Sequence, residues 1–280
     1  MKKMTLTLSA FALTFSFAFA QANKATVTQH GDKDKINLEQ AGNNNSALSN
    51  VTGDFNLVNI SQKGDNNMTD SQVTGNNNTT TVDQLGNDNE GRQVVTGDRI
   101  QAMILQEGNS NTGVQLLESS ESFAKIKQKG DENVAIQMQK DGVNNTSVLW
   151  QKGDRNRAAS EQTGENNTFI IDQHGNQNVS VATQTGDSNT SYAAQIGDSN
   201  TLNVAQTGNN NVAGLQDARL RQKGNNNMLD VNQQGDGNSA FGTQTGNMNM
   251  GTIEQAGNDN QAALDQKGNM NMATIKQGGH

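Results

Sequence analysis

The 280-residue chain contains no cysteine and no proline. Without cysteine there can be no disulfide, no thiolate metal site and no thiol nucleophile, so redox chemistry is not expected. The absence of proline suits a backbone in which every N–H is needed for a hydrogen-bond ladder. Aromatic residues make up 4% and hydrophobic residues 31% of the chain. Globular domains usually carry roughly 45–50% apolar residues, so one or two conventional cores are not expected either. Low hydrophobicity commonly goes with disorder, but disordered chains are generally rich in proline. Amide takes the place of the missing types: there are 42 Asn and 29 Gln, about a quarter of the chain, together with 29 Gly. The formal charge of −8 makes the chain a poor non-specific ligand for nucleic acid or anionic lipid, and no nucleic-acid partner is expected.

Long hydrophobic runs are also lacking, with one exception. Lys2 and Lys3 precede an apolar stretch from Leu6 to Phe19, and Ala18-Phe19-Ala20 offers small residues where a leader peptidase cuts. Residues 1–20 read as a secretory signal cleaved after Ala20; the stretch is too short and too broken by Thr and Ser for a transmembrane anchor. The mature chain then carries a formal charge of −10 and no membrane span. A partial repeat is expected over 21–28 and a repeat array over 29–280, with interruptions near 117–122, 139–151 and 216–221.

The array has a period of eleven. Gly31, Gly42, Gly53, Gly64, Gly75, Gly86, Gly97 and Gly108 are evenly spaced, and the spacing resumes through Gly130, then Gly153, Gly164, Gly175, Gly186, Gly197 and Gly208, and finally from Gly224 to Gly268. Around each Gly the unit reads Gln-x-Gly-[Asp/Asn]-x-Asn followed by alternating apolar or small residues. Alternation of period two marks a strand with one buried face: Leu202, Val204 and Gln206 point one way, Thr201, Asn203 and Ala205 the other. Gly and Asn supply the turn, because both accept positive φ. Each unit is thus a strand and a tight arc. Asn45, Asn67, Asn167, Asn189 and Asn271 are candidate arc residues beside the glycines.

Two units make one turn of the chain. The opening Gln is kept at Gln40, Gln62, Gln84, Gln106 and Gln128, but becomes Val51, Val73, Val95 and Leu117 on the alternate units. Two residues earlier, Leu38, Ile60, Val82, Ile104 and Ile126 alternate with Ser49, Ser71, Gln93, Gln115 and Gln137, so one strand is bulkier inside than its partner. The fold class that follows is all-β, a two-strand-per-coil β-solenoid of cross-β type with 22-residue coils in parallel register. Stacking at about 4.8 Å would let Gln40, Gln62, Gln84, Gln106, Gln128, Gln151, Gln162, Gln173, Gln184, Gln195, Gln206, Gln222, Gln233, Gln244, Gln255 and Gln266 form amide ladders. The few apolar side chains of one coil cannot offset the entropy of ordering its backbone, whereas adding a coil to an existing stack supplies a full row of hydrogen bonds. Growth is favourable where nucleation is not, and the terminal strand edges invite another copy.

Gln-x-Gly-x-x-Asn with small and apolar alternation, repeated in pairs behind a secretory signal, resembles the curlin repeats of curli fibre subunits, over nearly all of residues 29–277. The resemblance implies a secreted functional amyloid on the surface of a Gram-negative bacterium. It further implies self-association into a fibre, a nucleator subunit, an outer-membrane export pore and periplasmic chaperones as partners, and roles in biofilm matrix and adhesion. Gly153-Asp154 and Gly186-Asp187 resemble the gatekeepers that slow premature assembly in that family. The minor nucleator of the same fibre is an alternative that Lys267 and Lys276 are too few to decide.

Other classes have less to rest on. His30, His174 and His280 lie in arcs or at the terminus without a nucleophile elbow, so no catalysis and no cofactor are expected. Calcium-binding solenoids have period nine and Asp ligands, where this array has period eleven and Asn. A monomeric ligand- or ice-binding solenoid would want a recurring flat Thr array, and Thr79-Thr80-Thr81 does not recur. One patch stands apart: Val94, Val114, Leu116, Val134, Ile136 and Met138 occupy outward positions on three strands that stack, a candidate lateral contact between fibrils or with a partner. Trp150, also outward, is expected to report on that surface.

Overall fold

The computed structural model describes residues 14–17 and 22–278. The expected leader otherwise lies outside the described residues, as does His280. The molecule is a β-solenoid of about 12 coils, with no helix among the described residues. Each coil runs strand, arc, strand, arc, and every strand pairs in parallel with the one a coil later, as Lys35–Ala41 does with Leu57–Lys63 and Lys24–His30 with Ser46–Thr52. The odd-placed strands form one sheet, called here sheet I, beginning at Lys35–Ala41; the others form sheet II, beginning at Lys24–His30. The four residues Thr14–Phe17 add a short strand to the outer edge of Lys35–Ala41, with Phe17 opposite Gln40.

Register follows from glycine. The arc glycines adopt φ values such as +119° at Gly53 and +118° at Gly175, and the second residue after each sits near +57° whatever its type: Phe55, Arg99 and Met248 as well as Asn66. Backbone bonds between arcs hold these conformations, Gly53 N–H to His30 O at 2.9 Å and Phe55 N–H to Asp32 O at 3.0 Å. The arcs are thus as fully laddered as the strands. Inside, Leu202, Val204 and Gln206 are buried and Thr201, Asn203 and Ala205 are not. Two apolar clusters fill the bore. One contains Ile36, Val58, Val95 and Leu117, the other Ile104, Phe169, Leu202 and Ile253. The bulk asymmetry between the two strands of a coil holds as far as Ser160 and Ile171 and then fades, since Val204, Val231 and Ile253 replace the small or polar residues of sheet II while Gly242 appears in sheet I.

The interruptions take particular forms. Thr112–Ser120 runs on as a long strand, and the Ser119 carbonyl lies over Gly97 where other coils place a Gly carbonyl. One extra residue is absorbed at Asp141, φ 47°, ahead of Gly142. The longest insertion, near 216–221, does not lie in an arc. Instead it divides a strand of sheet I into Val212–Ala213 and Leu220–Lys223, with Leu215 and Ala218 exchanging backbone hydrogen bonds at its tip. Leu220 returns to the bore fully buried, so the strand loses backbone pairing but the core keeps its row. The outward residue Ala194 is 7% exposed, and Arg219 Nη1 reaches Asp172 Oδ2 at 3.3 Å on the same face.

Candidate assembly interface

Parallel stacking in one register turns each inward polar position into a column. In sheet I the column runs from Gln40 through Gln62, Gln84, Gln106, Gln128, Gln151, Gln173, Gln195, Gln222 and Gln244 to Gln266, and each Nε2 donates to the next Oε1 at 2.7–3.0 Å. Each Nε2 also reaches across the bore, as Gln128 does to the Thr112 carbonyl at 3.0 Å. In sheet II the matching column is Gln139, Gln162, Gln184, Gln206, Gln233, Gln255 and Gln277, linked at 2.8–3.0 Å. Ahead of it stand Leu117, Val95, Val73 and Val51, and then Gln29. A third, short ladder, Gln93 to Gln115 to Gln137, runs in the neighbouring inward position, beside Val95, Leu117 and Gln139. Sequence reasoning placed these three residues inward but did not count them as a ladder, although their 22-residue spacing signals one.

The arcs carry a second set of columns. Asn67 Nδ2 donates to Asn45 Oδ1 at 3.0 Å and to the Gly86 carbonyl at 2.7 Å; Asn189 makes the same pair of bonds to Asn167 and Gly208, and Asn271 reaches Asn249 at 2.9 Å. Ile100 and Ser122 interrupt the other Asn column, where backbone N–H groups keep the contact. Gly31, Gly42, Gly53, Gly64, Gly153, Gly164, Gly186 and Gly268 all have φ between +103° and +140°. Outside them, an Asp or Asn oxygen accepts the backbone N–H one coil earlier, as Asp54 does from Asp32 at 2.8 Å and Asp187 from Glu165 at 2.8 Å. Asp154 accepts from Asp131 at 2.9 Å, which stacks two carboxylates. Exposed ion pairs between coils relieve some of this charge: Lys129 with Glu107 at 2.8 Å, and Arg99 with Glu121. The Glu161 carboxylate bonded to Lys140 raises that ammonium above its ordinary value, and the Thr243 hydroxyl, with Lys267 beside it, holds Asp265 below the usual carboxylate range. Among the described residues no group of three or more His, Asp or Glu is placed to hold a metal.

With the columns traced, the comparison with known repeats becomes specific. The family model of the curlin associated repeat matches residues 53–86, 142–175, 164–197, 224–257 and 249–279, together about half of the chain. The chain belongs to the curlin-repeat family. No curated protein matches it. The curlin fold is structural in character, and its distinctive chemistry here lies at the two ends of the columns.

A ladder that begins leaves an acceptor without a donor. Gln93 Oε1 and Gln139 Oε1 are buried and unpartnered because Ser71 and Leu117, one coil earlier, have no amide to offer. Gln29 Oε1 is unpartnered in the same way, but no coil precedes it among the described residues; Asn23 Nδ2 is a buried donor in the same position. At the other end Gln266 and Gln277 donate only across the bore, at 2.9 Å to Met250 O and 2.7 Å to Gln261 O, and their forward N–H groups have no acceptor.

The outward apolar residues are placed on sheet II. Val94, Leu116 and Met138 stack in one column, Val114 and Ile136 in the next, and Val134 between Thr112 and Arg157; all six are half-buried. Trp150 is outward and 47% exposed but lies on sheet I, under Lys127 at 5.2 Å, so it cannot report on that patch. Sheet I has an outward apolar set of its own, Met103, Leu105, Val148, Ile170 and Tyr192, which the sequence reading missed. Its signal was the same alternation on the intervening units.

Proposed function

We propose that this curlin-repeat protein is the secreted structural subunit of an extracellular, curli-like amyloid fibre that grows by edge-strand addition. One observation carries the reading: among the described residues the stack stops at strand edges whose inward columns are open, at an acceptor on one side, Gln29, and at donors on the other, Gln266 and Gln277. An open edge that continues a ladder is a template for an identical chain. The family membership supports export through an outer-membrane pore with chaperones, nucleation by a second subunit, and a place in the surface matrix of a Gram-negative cell. Residues 1–20 act as the cleaved export signal. The test is direct. Mature chain released from denaturant should form thioflavin-positive fibres with reflections at about 4.8 and 10 Å. A chain that refolds and stays monomeric would overturn the reading in favour of a soluble solenoid.

The sheet II patch is proposed as the contact through which fibrils bundle. Three stacked coils of Val, Leu, Ile and Met make a continuous apolar strip on a face that elsewhere carries Asn50, Asp70, Arg92, Glu161, Asn203 and Glu254. Val114→Lys with Ile136→Lys places two ammonium groups in adjacent coils on that strip. Electron micrographs should show single fibrils elongating at the normal rate without lateral bundles. Bundles as thick as those of the unsubstituted chain would dismiss the contact.

A further inference from the structure

Half of the chain's ten methionines are Met228, Met248, Met250, Met270 and Met272, gathered where the repeat reads Gly-Asn-Met-Asn-Met at 246–250 and again at 268–272. Met228, Met250 and Met272 open three successive strands of sheet II and stand in one register column. Met248 and Met270 lie in the arcs just ahead, one coil apart, with Met270 N–H bonded to Asn247 O at 2.9 Å. All five are exposed, from 36% at Met228 to 77% at Met272, so none of them fills the bore. Nor does the backbone ask for them. Met248 and Met270 hold φ of 57° and 56°, in a row of arc positions that Asn44, Asn66 and Asn226 occupy in other coils. Asn visits that region more readily than an unbranched apolar residue does.

The residues between these methionines are held in place. Asn249 Nδ2 donates to Asn227 Oδ1 at 3.0 Å and to Gly268 O at 2.8 Å, and Asn271 Nδ2 to Asn249 Oδ1 at 2.9 Å. With the intervening amides committed to their column, the thioethers on either side face solvent. Neighbours in a column are about 4.8 Å apart, and residues two apart along the chain at most about 7 Å. Four Cα atoms thus mark a patch across which four long side chains, each with three rotatable bonds, can converge on one ion. Thioether sulfur is a neutral, soft donor that suits Cu(I) and offers little to hard cations such as Ca²⁺ or Mg²⁺. Hard competitors also find no free carboxylate on the strands flanking the two arcs, Ser239–Thr245, Met250–Ala256, Gln261–Lys267 and Met272–Gly278. Their two carboxylates, Glu254 and Asp265, are paired with Lys276 at 2.8 Å and Lys267 at 3.0 Å. From the stacked Met-Asn-Met pairs we propose that Met248, Met250, Met270 and Met272 form a binding site for a soft monovalent cation of the Cu(I) and Ag(I) class, with Met228 extending the donor column by one coil. The site lies within one chain and does not depend on the fibre reading.

The probe is Ag(I), which needs no reductant, added as silver nitrate to the folded chain in chloride-free buffer. Equilibrium dialysis should find about one tightly held silver ion per chain, and X-ray absorption at the silver edge should show sulfur neighbours. Because a thioether does not titrate, retention should be the same at about pH 5, where a site built on histidine loses its metal to protons. Met248→Leu, Met250→Leu, Met270→Leu and Met272→Leu together preserve apolar volume and should weaken binding more than about tenfold. Met68→Leu with Met103→Leu and Met138→Leu should leave it unchanged. If the fourfold variant fails to fold, Met248→Asn with Met270→Asn restores the residue other coils use in that arc and still removes two of the four donors, so binding should again weaken. Undiminished silver binding in the fourfold or the twofold variant would overturn the site. So would a shell of oxygen or nitrogen around the silver, or its displacement by equimolar Zn²⁺.

Discussion

Gly164→Ala should stop the stack from closing in its middle. Gly164 has φ +107°, and a Cβ there would sit within the van der Waals shell of the Gly186 carbonyl oxygen, one coil on, and 2.8 Å from its carbon. That oxygen accepts Asn167 Nδ2 at 2.8 Å, while the Gly164 carbonyl accepts Asn145 Nδ2 at 2.7 Å. The neighbour cannot retreat, because the rise of about 4.8 Å is set by strand hydrogen bonding on both sides of the arc. Relief requires breaking those bonds or moving the arc out of register, on top of about 1–3 kcal/mol for an L-residue in sparsely populated backbone space. Fibre elongation should slow more than about tenfold, the factor that each 1.4 kcal/mol represents. Hydrogen exchange should show loss of protection around residues 142–186. Gly268→Ala is the matched control: it has the same kind of backbone angle, +105°, but only Asn271 Nδ2 at 3.5 Å nearby within the chain. It carries the same backbone strain without the clash inside the chain, so it should keep protection around residues 142–186 and slow the addition of the next copy. Equal protection in the two variants would show that arc contact does not govern the stack.

The contrast between these two glycines also shows how far the sequence could be read. Eleven-residue spacing of Gly fixes the register, because only one alignment lets every arc approach its neighbour without a Cβ, and strand faces follow from alternation once the register is set. The inward Gln and Asn columns were legible for the same reason. What was not legible depends on single events. Phe55, Arg99 and Met248 hold φ near +57° because backbone bonds to the preceding coil impose it, not because their side chains prefer it. The five-residue insertion leaves from mid-strand because Leu220 is apolar enough to resume the inward row, which a count of spacing cannot reveal. Trp150 was assigned to the wrong surface because both sheets alternate alike, and only parity along the chain tells one from the other.

Gln128→Glu should abolish assembly at neutral pH, where Gln128→Leu should only weaken it. Gln128 is 1% exposed, accepts from Gln106 at 2.9 Å, and donates to Gln151 Oε1 and Thr112 O, both at 3.0 Å. An ionised carboxylate keeps the first bond and turns the other two into contacts between acceptors. Leaving a buried charge uncompensated costs about 3–5 kcal/mol. Leucine removes donor and acceptor together. Gln106 retains its bonds to Glu90 O and Asn111 O, and the main loss is an unpartnered Gln151 Oε1, about 1–3 kcal/mol. The chain already tolerates that arrangement where Leu117 precedes the unpartnered Gln139 Oε1. Burial raises the pKa of the carboxyl introduced by Gln128→Glu above its unfolded value, so the penalty is full above the folded pKa and fades as pH falls through it. Protonation restores one donor. Thioflavin kinetics should therefore show Gln128→Glu silent at about pH 8 and recovering towards about pH 4, near the unperturbed glutamate pKa. Gln128→Leu should change little over the same range beyond the response of the unsubstituted chain. If the two variants assembled alike at neutral pH, the amide column would be a passenger of strand stacking rather than a support for it.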